Sequence, residues 1–183
     1  TDVAIIKNVN ADAIIAVYPF TPQPSITQAI ISVSEVPVFV GVGGGMTNGD
    51  RSVRLAEFSE HQGASGVVVN APISNETIAK MKAVVDIPVV TTIVSGDMDI
   101  AGRLAAGADI LNVSGASRTP EIVTKIRAEF PTVPIIATGG PREEDILRTI
   151  EAGANAITYT PPTTGQLFAD IMISHRKNFS HQD

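Results

Sequence analysis

Short, solid apolar runs recur along this chain at intervals of about two dozen residues, and each is introduced in one of two ways. Val36-Pro37, Ile87-Pro88 and Val133-Pro134 open three of them with a proline behind a β-branched residue. Gly63-Ala64-Ser65, Gly107-Ala108-Asp109 and Gly153-Ala154-Asn155 open the runs between, and Asn10-Ala11-Asp12 opens the first. Proline has no N–H and is tolerated in a sheet at the first residue of a strand. A glycine ends a helix in the left-handed conformation, and an alanine behind it lets that helix lie close on a sheet. The two lead-ins therefore mark alternate strands, each followed by a helix. Solid apolar runs are what parallel strands covered on both faces need.

Read in order, the chain opens on TDVAIIKNVN, where Val3, Ile5, Ile6 and Val9 stand close to helical spacing and predict the end of a helix. Strands are expected over 13–17, 36–42, 66–70, 88–94 and 109–113, with two more inside 133–164. Helices are expected over 25–33, 51–61, 74–85, 99–106 and 119–130, one between the last two strands, and a closing one over 165–177. By the alternation, run 13–17 belongs to the glycine-alanine class, so a proline-class strand should come before it; the helix at Val3–Val9 is that strand's partner. The expectation is an α/β chain forming a single domain over 1–183, a TIM (β/α)8 barrel whose first strand is absent from these 183 residues. An open sheet of seven parallel strands is the alternative, and it would leave two unpaired edges.

With 44% hydrophobic and 17% charged residues over 183, the chain is long and apolar enough to bury a large core. A net charge of −6, with lysines and arginines scattered over the expected helices, leaves no basic face for nucleic acid. Cysteine is absent, which removes disulfides, thiol nucleophiles and thiolate metal sites. No apolar run reaches bilayer length and no secretory signal is read, so no membrane partner is expected and the cytoplasm is the default location.

The stretch VPIIATGGPREEDILRTIEAGANAITYTPPTT, Val133 to Thr164, reads as strand, glycine turn, helix, strand and loop. Gly139-Gly140 follows the first of these strands; Thr160 to Gly165 follows the second and opens the closing helix. Glycines let backbone N–H groups approach an anion, and a helix N-terminus adds oriented donors and partial positive charge. In a barrel the loops after the last two strands form the usual phosphate pocket. This stretch, with the lead-in at 107–109, resembles the ribulose-phosphate-binding barrel superfamily. Members of that superfamily include 2-keto-3-deoxy-phosphogluconate aldolases, N-acetylmannosamine-6-phosphate epimerases and the glycerol-uptake antiterminator-related proteins. The resemblance implies that Gly139 and Gly140 stand in place of the family's phosphate-loop glycines, with Thr160 to Gly165 as the companion loop. There Pro161-Pro162 replaces a Gly-Ser pattern and removes two N–H donors. Over the first half of the chain the resemblance is one of architecture only.

Strand alternation sorts the side chains around the expected site. Leu111, Val113, Ile157 and Tyr159 are assigned to the helix side, leaving Asn112, Ser114, Thr158 and Thr160 facing inward. Asn70, Thr138, Tyr18 and one of Thr91 and Thr92 join them at the rim, a polar set without charge. All five lysines, Lys7, Lys80, Lys82, Lys125 and Lys177, fall in expected helices. A Schiff-base aldolase needs a lysine at a strand end, where desolvation lowers its pKa, so that mechanism is disfavoured. Acid–base candidates are left to the loops. Asp97, the only acid immediately beyond a strand end, is the first choice for a general base, with Asn112 and Asn70 as the other catalytic candidates.

Each candidate also has a plain structural reading. Asp99 and Glu143 sit in first helical turns, where the helix dipole favours carboxylates. Ser117 and Thr119 fit as N-caps for the helix opening at Pro120, and Asp97 fits a turn after Ser95-Gly96. Asn70 and Asn112 fit as amides satisfied by neighbouring strands. His61, His175 and His181 do not converge, so no metal is expected, and no motif calls for another cofactor. Gly43-Gly44-Gly45 opens a long loop that fits a lid, although it lacks the P-loop lysine and the dinucleotide spacing.

These readings converge on a barrel for a small phosphorylated metabolite of the sugar-phosphate type, acting as a lyase or isomerase. Gly139, Gly140, Thr160, Thr163, Thr164 and Gly165 hold the anion, and Asn70, Asn112, Ser114 and Thr138 orient the substrate. A non-catalytic sensor or regulator that keeps the anion pocket is the alternative, and a hydrolase positioning water with Asp97 and Asn112 is a third. Apolar surface left uncovered by an incomplete barrel makes a homo-oligomer a further expectation.

Overall fold

The computed structural model describes residues 3–17 and 21–179. Its elements alternate: α1 (Val3–Asn8), β1 (Ile14–Ala16), α2 (Pro24–Val33), β2 (Val38–Gly43), α3 (Asp50–His61), β3 (Gly66–Val69), α4 (Asn75–Lys82) and β4 (Val89–Ile93). They continue as α5 (Ile100–Ala105), β5 (Ile110–Val113), a 3-10 turn (Ala116–Arg118), α6 (Thr119–Glu129), β6 (Ile135–Thr138), α7 (Glu143–Glu151), β7 (Ala156–Thr158) and α8 (Thr164–Phe179). The strands form one sheet in the order β1 to β7, every neighbouring pair parallel, and the sheet curls into an incomplete barrel. Among the described residues seven strands of the expected eight are in place, and the open side lies between β1 and β7.

The two classes of lead-in have two distinct hydrogen-bond geometries. Gly63, Gly107 and Gly153 have φ of +95°, +103° and +105°. Behind them the N–H groups of Ala64, Ala108 and Ala154 donate to the carbonyls of Ser59, Arg103 and Thr149 at 3.0, 3.1 and 3.3 Å, the reach-back of a Schellman cap. The next N–H in each, from Ser65, Asp109 and Asn155, enters the ladder on the carbonyls of Val38, Val89 and Ile135. Proline lead-ins contribute only their carbonyls: Pro37, Pro88 and Pro134 accept from Ile14, Val67 and Leu111 at 2.8, 2.9 and 3.0 Å. Side chains complete the pattern. Asp109 Oδ2 accepts from Val89 N and Lys82 Nζ, at 2.8 and 2.9 Å. Asn155 Oδ1 accepts from Ile135 N and Arg127 Nη2, both at 2.9 Å.

Alternation along each strand separates two faces. Val67, Val69 and Val89 pack with Ile78 and Met81 of α4, while Leu111, Val113, Ile135 and Ala137 pack with Ile122, Val123 and Ile126 of α6. The residues between them, including Ile15, Phe39, Val68, Val90, Ile110 and Ile136, line the inner face of the curl. Val68 and Val90 are fully enclosed there, whereas Ile15, Phe39, Ile110 and Ile136 are half-buried.

The edge toward the open side is the least covered part of the molecule. Leu147 and Ile150 on α7, Tyr159, and Phe168, Ile171 and Ile173 on α8 are all about half exposed or more. Among the described residues no helix is long and apolar enough to cross a membrane.

Candidate functional site

Register decides which side chains meet on the inner face. Thr92 of β4 is paired with Asn112 of β5, Asn112 with Ile136 of β6, and Thr138 of β6 with Thr158 of β7. Residues paired in a parallel ladder project to the same side, so these positions form two steps of one polar row at the C-terminal strand ends. Side-chain bonds follow the row. Asn112 Nδ2 donates to Thr92 Oγ1 at 3.3 Å, and Thr138 Oγ1 donates to Ser114 Oγ, also at 3.3 Å. Asn112 Oδ1 is buried without a donor among the described residues. The choice between Thr91 and Thr92 resolves to Thr92: Thr91 is in register with Leu111 on the helix side, where its hydroxyl is fully buried and has no partner among the described residues. Tyr18 lies outside the described residues.

Asn70 stands on the neighbouring loop and is reached through its backbone. Its N–H donates to the Gly43 carbonyl at 2.9 Å, and its side chain is exposed. The glycine loop before it is anchored, with Gly44 N donating to the Thr47 carbonyl at 2.9 Å and Thr47 Oγ1 donating to Thr21 Oγ1 at 3.3 Å. Gly44 has φ +95°, and a Cβ there would lie 2.5 Å from Asn70 N, so the glycine is required by close packing of the two loops. From the other side Arg103 of α5, 9% exposed, donates to the carbonyls of Ala71, at 2.7 Å, and Ile73. Burial pushes its guanidinium pKa down, opposed by the charge of Asp99. The sequence reading missed this clamp. Its signal is a single arginine among the small and apolar residues of IAGRLAAGA.

The anion loops come out narrower than expected. Gly139 N donates to the Thr158 carbonyl at 3.2 Å, extending the β6–β7 ladder, so its donor is engaged. Gly140, exposed and at φ +83°, keeps its N–H without a partner among the described residues. Thr163 is the N-cap of α8: its hydroxyl accepts from Gln166 N at 3.3 Å, while Gln166 Oε1 accepts from Thr163 N at 2.9 Å. That reciprocal capping box occupies the Thr163 hydroxyl, leaving the first-turn amides of Thr164 and Gly165. Thr160 is exposed ahead of the cap.

Asp97 is not brought into the polar row. Its carboxylate pairs with Lys125 of α6 at 3.2 Å and is 89% exposed, beside a cleft of about 130 Å³ lined by Gly96, Met98, Asp99, Lys125 and Glu129. Asp99 has its plain role, Oδ1 accepting from Gly102 N at 2.8 Å as the N-cap of α5. Ser117 and Thr119 depart from theirs. Arg118 takes the N-cap position without a side-chain bond, and Thr119 Oγ1 instead accepts from Gly115 N at 3.0 Å, closing the turn in which Ala116 has φ +53°. Arg142 is held by Asp145 through two bonds of 3.0 Å, which keeps that carboxyl below its ordinary pKa. All five lysines lie on helices, and no cluster of three metal-ligating side chains occurs among the described residues.

No family model matches the sequence, and comparison with curated proteins gives no match. Solved structures do match. A protein of Burkholderia cenocepacia named as a phosphonomutase superposes with a TM-score of 0.69 at 17% identity, over 98% of this chain and 89% of its own. A 2,3-dimethylmalate lyase of the PEP mutase/isocitrate lyase superfamily gives 0.72 at 14% identity, over 96% of this chain and 77% of its own. Dihydrodipicolinate synthase from Aquifex aeolicus gives 0.67 at 16% identity, this chain spanning 61% of its length. At these identities the likeness shows the fold, a TIM barrel, and the ribulose-phosphate-binding members of the resemblance belong to the reading that follows.

Proposed function

We propose that the protein binds a small phosphorylated metabolite at the C-terminal strand ends and acts on it as a lyase or isomerase without a Schiff-base lysine. The observation that carries the reading is the row Thr92–Asn112 and Ser114–Thr138–Thr158, polar side chains set where barrels of this fold keep their active sites. Gly140, Thr164 and Gly165 offer amides for the phosphate at the adjoining rim, with Gly139 and Thr163 shaping the loops that present them. The names carried by the barrels of similar fold, a lyase and a phosphonomutase among them, support this class of chemistry. In this reading Asp97 serves as general base once it leaves Lys125, and Asn70 orients substrate from the anchored β3–α4 loop.

A second reading, a sensor or regulator of the same metabolite, is favoured by one observation: the described inner-face side chains include no group that titrates near neutral pH. A second copy of the chain is the partner supported by the exposed apolar side chains of α7 and α8.

Thermal unfolding with inorganic phosphate, pentose phosphates and the same pentoses without phosphate tests the phosphate reading. Ligand at 100 times its Kd stabilises by about 2.7 kcal/mol, a rise of roughly 5–10 °C for a chain of this size. Phosphoesters that leave the melting temperature where the free sugars leave it would overturn the reading.

A further inference from the structure

We infer that the end of the ligand entering the barrel is neutral and hydroxylated, and that the site excludes a carboxylate there. The inference rests on the phosphate reading above, which supplies the anchor at the rim. Thr92, Asn112, Ser114, Thr138 and Thr158 give the described inner face its polar atoms, and the floor beneath them is aliphatic and aromatic. Hydroxyls and amides both donate and accept, so the row complements a ligand whose groups do the same.

Three facts turn that complementarity into selectivity. Among the described residues Asn112 Oδ1 is a buried acceptor without a donor, and a hydroxyl that reaches it has a proton to offer where a carboxylate has none. A carboxylate moved onto this face would lose its water and meet no counter-charge from the described face. Nearby cations also lie elsewhere: Arg142 is engaged with Asp145, Arg103 sits beneath the β3–α4 loop, and Lys125 is on α6, off the inner face. The exposed Arg118 belongs to the 3-10 turn beyond β5 and not to the inner face.

Calorimetric titration of the full chain with matched probes tests the inference. Glycerol 3-phosphate is compared with 3-phosphoglycerate, and sorbitol 6-phosphate with 6-phosphogluconate; each pair differs by a hydroxymethyl group against a carboxylate. Free glycerol and sorbitol complete the set. In at least one pair the hydroxymethyl probe should bind about 30-fold more tightly, the factor expected when a charge is buried unpaired. Asn112→Leu and Thr138→Val should each weaken that probe about tenfold or more and narrow the ratio. Asn112→Leu should also melt close to the parent, because it removes an orphaned acceptor together with the 3.3 Å bond to Thr92; a side chain kept for stability alone would lower it.

A carboxylate probe that binds as well as its partner overturns the inference and leaves the phosphate reading standing. Polyols that bind as well as their phosphates overturn the phosphate reading and leave the neutral class standing. If none of the probes binds, both fall.

Discussion

The β1–β3 side and the β4–β7 side of the curl are built by the same lead-ins, yet their inner faces differ. On the first side Ile15, Phe39, Gly41, Gly66 and Val68 present nothing polar, and polarity sits in backbone-anchored loops at Gly43–Thr47 and Asn70. On the second, each strand carries a hydroxyl or amide inward near its C-terminal end: Thr92, Asn112, Thr138 and Thr158. The helix side shows no such division: apart from Thr91, valine, isoleucine, leucine and alanine pack it on both halves. Packing therefore accounts for one face of the whole sheet, and polar side chains are concentrated on one half of the other.

The contact most able to break this comparison joins the two sides. Arg103 starts on α5 and ends on the carbonyls of Ala71 and Ile73, so Arg103→Met strands two carbonyls at once. Hydrogen bonds to charged groups contribute about 1.5–3 kcal/mol each, and the variant should lose about 3 kcal/mol in urea unfolding. A loss below about 1 kcal/mol would mean that the sides are held together elsewhere. Next in size is Gly44→Ala, which meets both an unfavourable φ and Asn70 N at 2.5 Å. About 2 kcal/mol should be lost. Gly45→Ala, whose Cβ would find only Asn70 Nδ2 at 4.0 Å, is the matched control and should unfold near the parent.

Thr91→Val sharpens the division between faces. Its hydroxyl is buried on the helix side with no partner among the described residues, so an isosteric methyl should raise stability by about 1 kcal/mol, or roughly 2–4 °C, and leave ligand binding unchanged. Thr92→Val, one residue along, removes the partner of Asn112 and should weaken binding instead. Equal behaviour of the two variants would erase the distinction between a packing face and a ligand face.

How much of this was legible in the sequence follows the range of the interactions involved. The glycine-alanine caps and proline lead-ins close bonds within six residues or with the adjacent strand, so their chemistry is written locally and the barrel could be read from it. The inward assignment of Asn112 and Ser114 needed only a period of two. Asp97 went otherwise, because its direction depends on Lys125 across the α5–α6 cleft. Gly139 looked like an anion donor because nothing in a Gly-Gly pair records that the Thr158 carbonyl, on the next strand, will take its N–H. Arg103 was silent for the same reason, its partners lying on a loop about 30 residues upstream.

The smallest effect belongs to the exposed Arg142, N-cap of α7, and the partly exposed Asp145 of its first turn, a pair that bounds the Gly139–Gly140 loop. Asp145 is held below its ordinary value of 3.8 first by its hydrogen bond to Arg142, with the charges of Arg142 and Arg148 adding to it. Because the folded-state pKa is lowered, the stabilisation is complete above the unfolded value and is lost as pH falls through the folded one. The melting temperature of Arg142→Ala should therefore sit slightly below the parent's at pH 7 and converge with it as pH falls below 3.8 and through the lowered folded-state value. Salt should shrink the gap at pH 7, as it does for exposed ion pairs. Convergence at high rather than low pH would mean that Arg142 acts through something other than Asp145, and would reopen it as a free cation beside the glycine loop.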